Sequence, residues 1–396
     1  MTIEFKKIGG FFLCVAMLLF FISETLLAIG NPFSFQMKII ATVLSVIAFT
    51  TSRKVSVELV IIPVIFIFFI MNYFRADREA AAIEELFRFL LPMLVLMALY
   101  SNKGVIDSIS KLFIWVVISN NVYQIYVYMA YYFGFPVLIP IRFEAGSIIR
   151  AEGWVGFFSL YGFMNFCALM LVRYAGIYEN HKKMLSFVFF IFAVLSTSLK
   201  LLAAFIIYAA FNMKKKSAPL VAIFLIAAIA VFAHTQKNLI GTMLSAIDSK
   251  FAFYITQGNS ARSDSYRVMF ESLVKPNLIG EGLGMFGGPA SVKYGSPLYR
   301  EYNFNWHNTA TLSTTDTFYP HLFVELGLLG GITYLFFIFR YGQKNITKPW
   351  VIIVTSFLID AAFSFSILSI PYFLSAAICM LIFSEGKNVN NKKVPL

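Results

Sequence analysis

Seven side chains in this sequence have the type and setting for chemistry on a charged substrate: Arg88, Arg150, Arg262, Arg267, Asp316, His321 and Glu325. Arg262 and Arg267 open a segment in which Tyr266, Met269, Phe270, Leu273 and Val274 recur at helical spacing before Pro276 stops it. Guanidinium forks bind phosphate oxygens bidentately and stay charged, and a helix N-terminus adds a favourable dipole. The pair therefore suits an anionic ligand, with Ser263 or Asp264 as the expected N-cap. The plainer alternative is a solvated face on which Arg267 pairs with Glu271 at i+4. Asp316 and His321 are candidate bases: His is poised near neutrality, whereas Asp needs partial burial to work well. Asp316 serves equally well as the N-cap of the helix beginning FYPHLF, and Glu325, just inside that helix, is placed to orient an arginine. Arg88 lies a turn into an apolar run, where a charge is a functional hypothesis by default, although Glu84 and Glu85 are available to pair with it. Arg150 follows a polar segment and precedes an apolar one, so interfacial snorkelling is its alternative.

The elements that must position these groups are membrane helices. Of 396 residues 59% are hydrophobic, against about 45–50% in soluble domains, and the mean hydropathy is +0.77. The excess lies in long apolar runs, and a spanning helix needs about 20 such residues. The expected fold is therefore an all-α polytopic membrane protein of about twelve spans, at 8–29, 34–51, 57–74, 84–101, 109–133, 153–172, 184–198, 200–213, 218–234, 319–339, 350–367 and 370–384. The short seventh and eighth suit a tight hairpin. Glu24, Lys38, Glu58, Lys111 and Asp360 fall in or near spans and are expected to snorkel or pair. Cys14, Cys167 and Cys379 sit inside apolar runs and read as small hydrophobes, without disulfide or zinc spacing.

Charge gives sidedness. With the N-terminus inside, the cytoplasmic segments hold seventeen Lys and Arg, while the short outer loops hold only Arg75, Arg78, Arg142, Arg150 and Lys200. Both termini are then cytoplasmic. The net charge of +12 is a topology signal, not a nucleic-acid footprint, which needs a contiguous basic face with stacking aromatics. The expected layout is nine spans over 1–234, a long outer loop over 235–318 carrying the Arg262 helix, three spans over 319–384 and a cytoplasmic tail over 385–396.

Within that loop, GLGMFG at 282–287 matches the GxGxxG fingerprint of dinucleotide-binding folds. The fingerprint requires a strand before the glycines and a helix after them; here a helix precedes, and the segment faces away from the cytoplasm. The expectation is a tight bend with close backbone packing, bringing the Arg262 helix over the mouth of a membrane cavity.

RSDSYRVMFESLVKPNLIGEGLG followed by TDTFYPHLFVELGLLGG, with STSLKLL at 196–202 and IIRAEGWVGFFSLYG at 148–162, resembles the O-antigen ligase/polymerase superfamily of bacterial surface-polysaccharide enzymes. The likeness covers roughly the C-terminal two-thirds. It departs at Leu199-Lys200, where the family has arginine, and at Asp316-Thr317, where ligases carry a His-Asn pair; His307-Asn308 keeps a ligase register open. The resemblance implies a glycosyltransferase at the outer face of the inner membrane, without metal or cofactor. It would use undecaprenyl-diphosphate-linked oligosaccharide as donor and acceptor, with a chain-length regulator as protein partner. In that chemistry Arg88, Arg150, Arg262, Arg267 and Glu325 serve binding, and Asp316, then His321, takes the acceptor's proton. Trp306, Tyr302, Phe304 and Tyr319 are available to stack on sugars. Polymerisation is the first reading; ligation to lipid A core and a lipid-linked oligosaccharide flippase are the alternatives.

Overall fold

The computed structural model describes residues 2–52, 54–141, 144–145, 148–212, 261–304 and 314–386. The apolar runs form helices: α1 Thr2–Ala28, α2 Phe33–Ser52, α3 Ile62–Phe74 behind a 3-10 turn at Val57–Ile61, α4 Glu79–Ser101, α5 Ile106–Phe133, α6 Phe158–Tyr174, α7 Lys182–Leu195 and α8 Leu199–Asn212. A two-residue antiparallel ladder, Glu144–Ala145 against Ile148–Ile149, lies between α5 and α6. The segment 261–304 contributes α9 Ala261–Val274, α10 Pro289–Lys293 and α11 Leu298–Glu301, and the chain continues through α12 Phe318–Arg340, α13 Lys348–Ala362 and α14 Ile370–Ser384.

Five helical stretches are long and apolar enough to cross a membrane: Ile8–Ala28, Phe33–Ser52, Val57–Phe74, Lys103–Phe133 and Phe318–Arg340. The α6 and α7 segments, bent by 111° at their junction, make a sixth if they form one broken span. This is fewer than the twelve expected, for physical reasons. The helices α7, α8, α13 and α14 have 14 or 15 residues, about 21–23 Å of rise against a hydrocarbon layer of ~30 Å. The stretch expected as one span over 350–367 stops at Ala362 and turns. The expected span 218–234 and much of the loop 235–318 lie outside the described residues.

Burial sorts the helices into a core and a lipid-facing rim. All fifteen residues of α14 are buried, as are Ser159 to Val172 of α6; helices apolar all round belong inside. On the rim, α2 exposes Phe33, Phe35, Ile39, Ile40 and Val43, and α3 exposes Val64, Ile67 and Ile70. Continuous apolar faces of this kind are costly in water and natural against lipid tails. Side-chain contacts also separate two ends. Ser101 donates to the Lys54 carbonyl at 2.5 Å, Lys103 pairs with Glu385, and Ser56 meets Tyr341 at one end. Lys293 pairs with Glu84, Lys200 with Asp360, and Ala151 bonds the Leu195 carbonyl at the other.

The glycine run has a structural task at that second end. Helix α12 breaks at Gly327, whose φ of 69° and ψ of 179° suit glycine almost alone. A break inside a membrane helix strands amides and carbonyls that must be satisfied by protein. The bend at 277–283 does this on both sides. Glu281 and Gly282 donate to the Val324 and Glu325 carbonyls at 2.9 and 3.4 Å, and the Asn277 and Leu278 carbonyls accept from Leu328 and Leu329 at 3.0 Å each. The fit leaves no room: a Cβ on Gly327 would lie 2.5 Å from the Ile279 and Gly280 backbone. Gly327→Ala should therefore destabilise the fold by about 2–3 kcal/mol, given the ~1–3 kcal/mol for such a backbone position plus the clash. A detergent melting curve unchanged by this substitution would contradict the role given to the break.

Candidate functional site

Two clusters of charged side chains lie where the segment 261–304 meets the bundle. The first begins with the glycine run. The amides of Gly284 and Phe286 converge on the carboxylate of Glu325, Phe286 at 3.0 Å. The run does cradle an anion, but the anion is a glutamate of its own chain. Glu325 also lies 3.7 Å from His321 Nδ1 and contacts none of the described arginines, so the expectation that it orients one is not met among them.

His321 is fully buried, its ring stacked on Phe89 at 5.1 Å. Its Nδ1 is 2.8 Å from the Phe286 carbonyl, an acceptor, so Nδ1 carries a proton. Its Nε2 is 3.0 Å from Glu85 Oε1, which Arg88 Nε approaches to 3.1 Å. Neither approach has hydrogen-bond direction, so these are charge pairings. Arg88 also reaches Glu84 at 3.5 Å, and Glu84 binds Lys293 of α10 at 2.9 Å. Ligand atoms of Glu85, His321 and Glu325 lie within 4.8 Å of one another, a spacing open to a metal. Charge balance favours a proton. With both carboxylates ionised, Arg88, Glu85 and Glu325 carry one net negative charge, which one further proton on His321 or Glu325 cancels, while a divalent ion beside a neutral imidazole would leave an excess positive charge in a buried site.

The second cluster joins segments far apart in sequence. Arg262 on α9 forms an ion pair with Asp316, just before α12. Beside them Ser265 and Thr317 share a hydrogen bond of 2.8 Å, and Tyr266 donates to the Ala362 carbonyl at 2.7 Å, tying α9 to the end of α13. There Asp360 lies 3.5 Å from Lys200, which α8 carries straight out of the hairpin 196–199. Lys200 is within electrostatic reach of Asp316 and Arg262 as well. Two non-glycine residues at positive φ flank the cluster, Thr197 at 49° and Asp316 at 59°. Such positions cost about 1–3 kcal/mol each and gather at functional sites.

Several expectations change on this geometry. The N-cap of α12 is Thr317, not Asp316. Helix α9 already runs at Ala261, so Ser263 and Asp264 lie within its first turn and do not cap it. Its buried face is Ser265, Val268, Met269 and Ser272, whereas Phe270 and Val274, expected inside, are 60% and 83% exposed. Small and hydroxylated residues face α12 because Ser265 bonds Thr317 there.

Arg267 stands apart from both clusters. It binds Asp264 at 2.6 Å, Glu271 at 2.8 Å and the Tyr302 carbonyl at 2.9 Å. The Asp264 bond first, and then that of Glu271, raises its guanidinium above the ordinary value, so its alternative as a helix-surface pair is the one realised. Arg150 lies over the Phe158 ring at 4.5 Å in a cleft with Tyr123, Gln124 and Glu152. Partial burial lowers its guanidinium, against an opposing pull from Glu152. The next residue, Ala151, bonds the Leu195 carbonyl at 3.1 Å, which fastens this loop to the hairpin carrying Lys200. Trp306, His307 and Asn308 lie outside the described residues. Glu85, Lys200 and Asp360 were absent from the leading candidates, though each is a charge set in an apolar run, which is the signal that finds them. The chain matches no family model, no curated protein and no solved structure.

Glu325 gives a direct test of the first cluster. Glu325→Ala strands the buried Phe286 amide and should cost about 1–3 kcal/mol; Glu325→Gln keeps the accepting oxygen and should cost less. Equal melting temperatures for the two variants would remove the amide cradle from the account.

Proposed function

We propose that this chain is a polysaccharide polymerase of the bacterial inner membrane. It joins undecaprenyl-diphosphate-linked repeat units by glycosyl transfer at the outer face. The observation that carries the reading is the meeting of Arg262, Asp316 and Lys200 in one cluster. These residues lie in the three stretches that resemble the superfamily's motifs, 196–202, 262–284 and 315–331, although Lys200 and Asp316 are where the resemblance departs from the family, and α9 is bound to α13 beside them.

In this reading Arg262 grips the diphosphate of the donor as it leaves, and Asp316 holds the guanidinium in place. Arg150, one residue from the bond that ties its loop to the Lys200 hairpin, contacts the glycan or the second diphosphate. Arg88 and His321 keep the Glu85 and Glu325 carboxylates neutralised beneath the glycine bend and act on the site through it. Arg267 fastens α9 to the segment at 302–303. The short helices α7, α8, α13 and α14 complete a topology of about twelve membrane segments with both termini cytoplasmic, and 235–318 forms the outer loop. A chain-length regulator is the expected protein partner.

Cells lacking the gene should display single repeat units in place of long chains. Arg262→Ala should lower transfer about 10–100-fold, as expected for losing a charge-assisted bond worth ~1.5–3 kcal/mol, while the protein stays folded. Arg267→Ala should instead lower the melting temperature. Long chains of normal length distribution in the Arg262→Ala strain would rule out the assigned site. Complete absence of attached glycan in the deletion strain would point to ligation.

A further inference from the structure

The proposed transfer needs a group to take the proton of the attacking hydroxyl, and both residues nominated from the sequence are engaged elsewhere. His321 has no exposed surface and is enclosed by Phe89, Phe286 and Glu85. The Asp316 carboxylate is half-exposed, and its Oδ2 is spent on holding the Arg262 guanidinium. A third carboxylate lies beside them. Asp360, its side chain 6% exposed, lines a cleft with Ser159, Ser198, Lys200 and Ser356. Its Oδ2 accepts from Ser364 at 2.8 Å. Its Oδ1 faces Lys200 Nζ at 3.5 Å, a charge contact too long for a strong hydrogen bond, so this oxygen keeps accepting capacity.

A surrounding hydroxyl calls for a partner. Ser356 Oγ, on the cleft wall, is buried without a hydrogen bond, and the Tyr372 hydroxyl, next to Ser159, lies within electrostatic reach of both Asp360 and Asp316. Native proteins rarely leave such groups unsatisfied. The cavity measures about 10 Å³, room for one water-sized group and not for a sugar ring. Its size therefore selects proton handling at a single hydroxyl over binding of a whole sugar.

We infer that Asp360 is the proton acceptor for the acceptor hydroxyl, that Lys200 and Ser364 position it, and that Asp316 serves Arg262. The inference rests on the glycan-transfer reading above. In the step, the acceptor's hydroxyl oxygen bonds to the donor's anomeric carbon as the bond from that carbon to the diphosphate oxygen breaks. The electron pair leaves with the diphosphate beside Arg262, and the hydroxyl proton passes to the Asp360 carboxylate.

The test is steady-state transfer by the full chain in lipid vesicles, with a polyprenyl-diphosphate-linked oligosaccharide as donor and acceptor and with binding of polyprenyl diphosphate measured separately. Asp360→Asn should lower kcat at least ~100-fold, the scale of a lost general base, with polyprenyl diphosphate binding unchanged. Arg262→Ala should weaken that binding. An Asp360→Asn protein that keeps more than about a tenth of kcat overturns the inference, as does one that folds but loses polyprenyl diphosphate binding. Should Asp360→Asn fail to fold, Ser364→Ala decides: a several-fold loss of kcat with unchanged binding and melting supports the positioning role, and an unchanged kcat overturns it. A wild-type protein that transfers no glycan from this donor removes the polymerase reading and the inference with it. That outcome is distinct from an active wild type beside an active Asp360→Asn.

Discussion

A helix that breaks inside a membrane must find partners for the backbone groups it frees, and the rest of this site depends on how the break at Gly327 finds them. The donors come from Glu281 and Gly282, the acceptors from Asn277 and Leu278. Because these bonds fix the glycine bend against α12, they also fix what the bend carries. Asn72 and Arg75 at the end of α3 donate to the Ile279 and Gly280 carbonyls at 2.8 and 2.5 Å, so a third helix is locked to the same point. Upstream, α9 is brought alongside the start of α12, which puts Arg262 next to Asp316. Downstream, Phe286 closes over His321. A glycine at 280 is needed for this seat, since a Cβ there would lie 2.2 Å from the Glu325 carbonyl.

The two charge clusters meet the cost of burial in different ways, and the difference separates structure from chemistry. Around His321 the charges of Arg88, Glu85, His321 and Glu325 can cancel with one added proton, and aromatic rings exclude water from the set. Removing one member of a buried set leaves an uncompensated charge and costs about 3–5 kcal/mol; a closed, balanced arrangement of this kind holds helices together. Around Asp360 the balance of charge is also even, Lys200 against Asp360 and Arg262 against Asp316. Both clusters leave polar atoms short of hydrogen bonds, but here a cleft reaches the charged pair. The Ser356 hydroxyl lacks a hydrogen bond on the wall of that cleft. A neutral cluster that is short of hydrogen bonds and opens onto a cleft is prepared for a polar guest.

Much of this was legible in the sequence, and the rest was hidden for identifiable reasons. Apolar runs placed the described helices to within about six residues, because a membrane helix is written in composition. They did not reveal that α13 turns at Ala362, since the residues that follow, FSFSILSI, are as apolar as a helix would be. The face of α9 was misjudged because apolar periodicity assumes that large side chains face the core. Beside a membrane that assumption fails: Phe270 and Val274 face outward, and serines make the close contact. The glycine run was readable as a bend but not as a cradle for Glu325, which lies thirty-seven positions beyond Gly288 in the numbering and meets it only through the break in α12. The Lys200–Asp360 pair was visible as two charges in apolar surroundings; their meeting depends on how α8 packs on α13.

Backbone strain gives a separate argument for where the chemistry lies. At Gly280 and Gly327 the chain needs a positive φ for architecture and uses glycine, which adopts it without steric cost. At Thr197 and Asp316 it accepts the same region with a side chain present, one of them β-branched, the type least suited to it. Of the other non-glycine residues at positive φ among those described, Asn303 is a type that tolerates the region, and Tyr178 sits at the far end of α6. A glycine at 316 would relieve the backbone and forfeit the carboxylate that holds Arg262. A glycine at 197 would loosen the turn that delivers Lys200 to Asp360. The strain persists at the two places where relieving it would dissolve the second cluster, and the first cluster contains none.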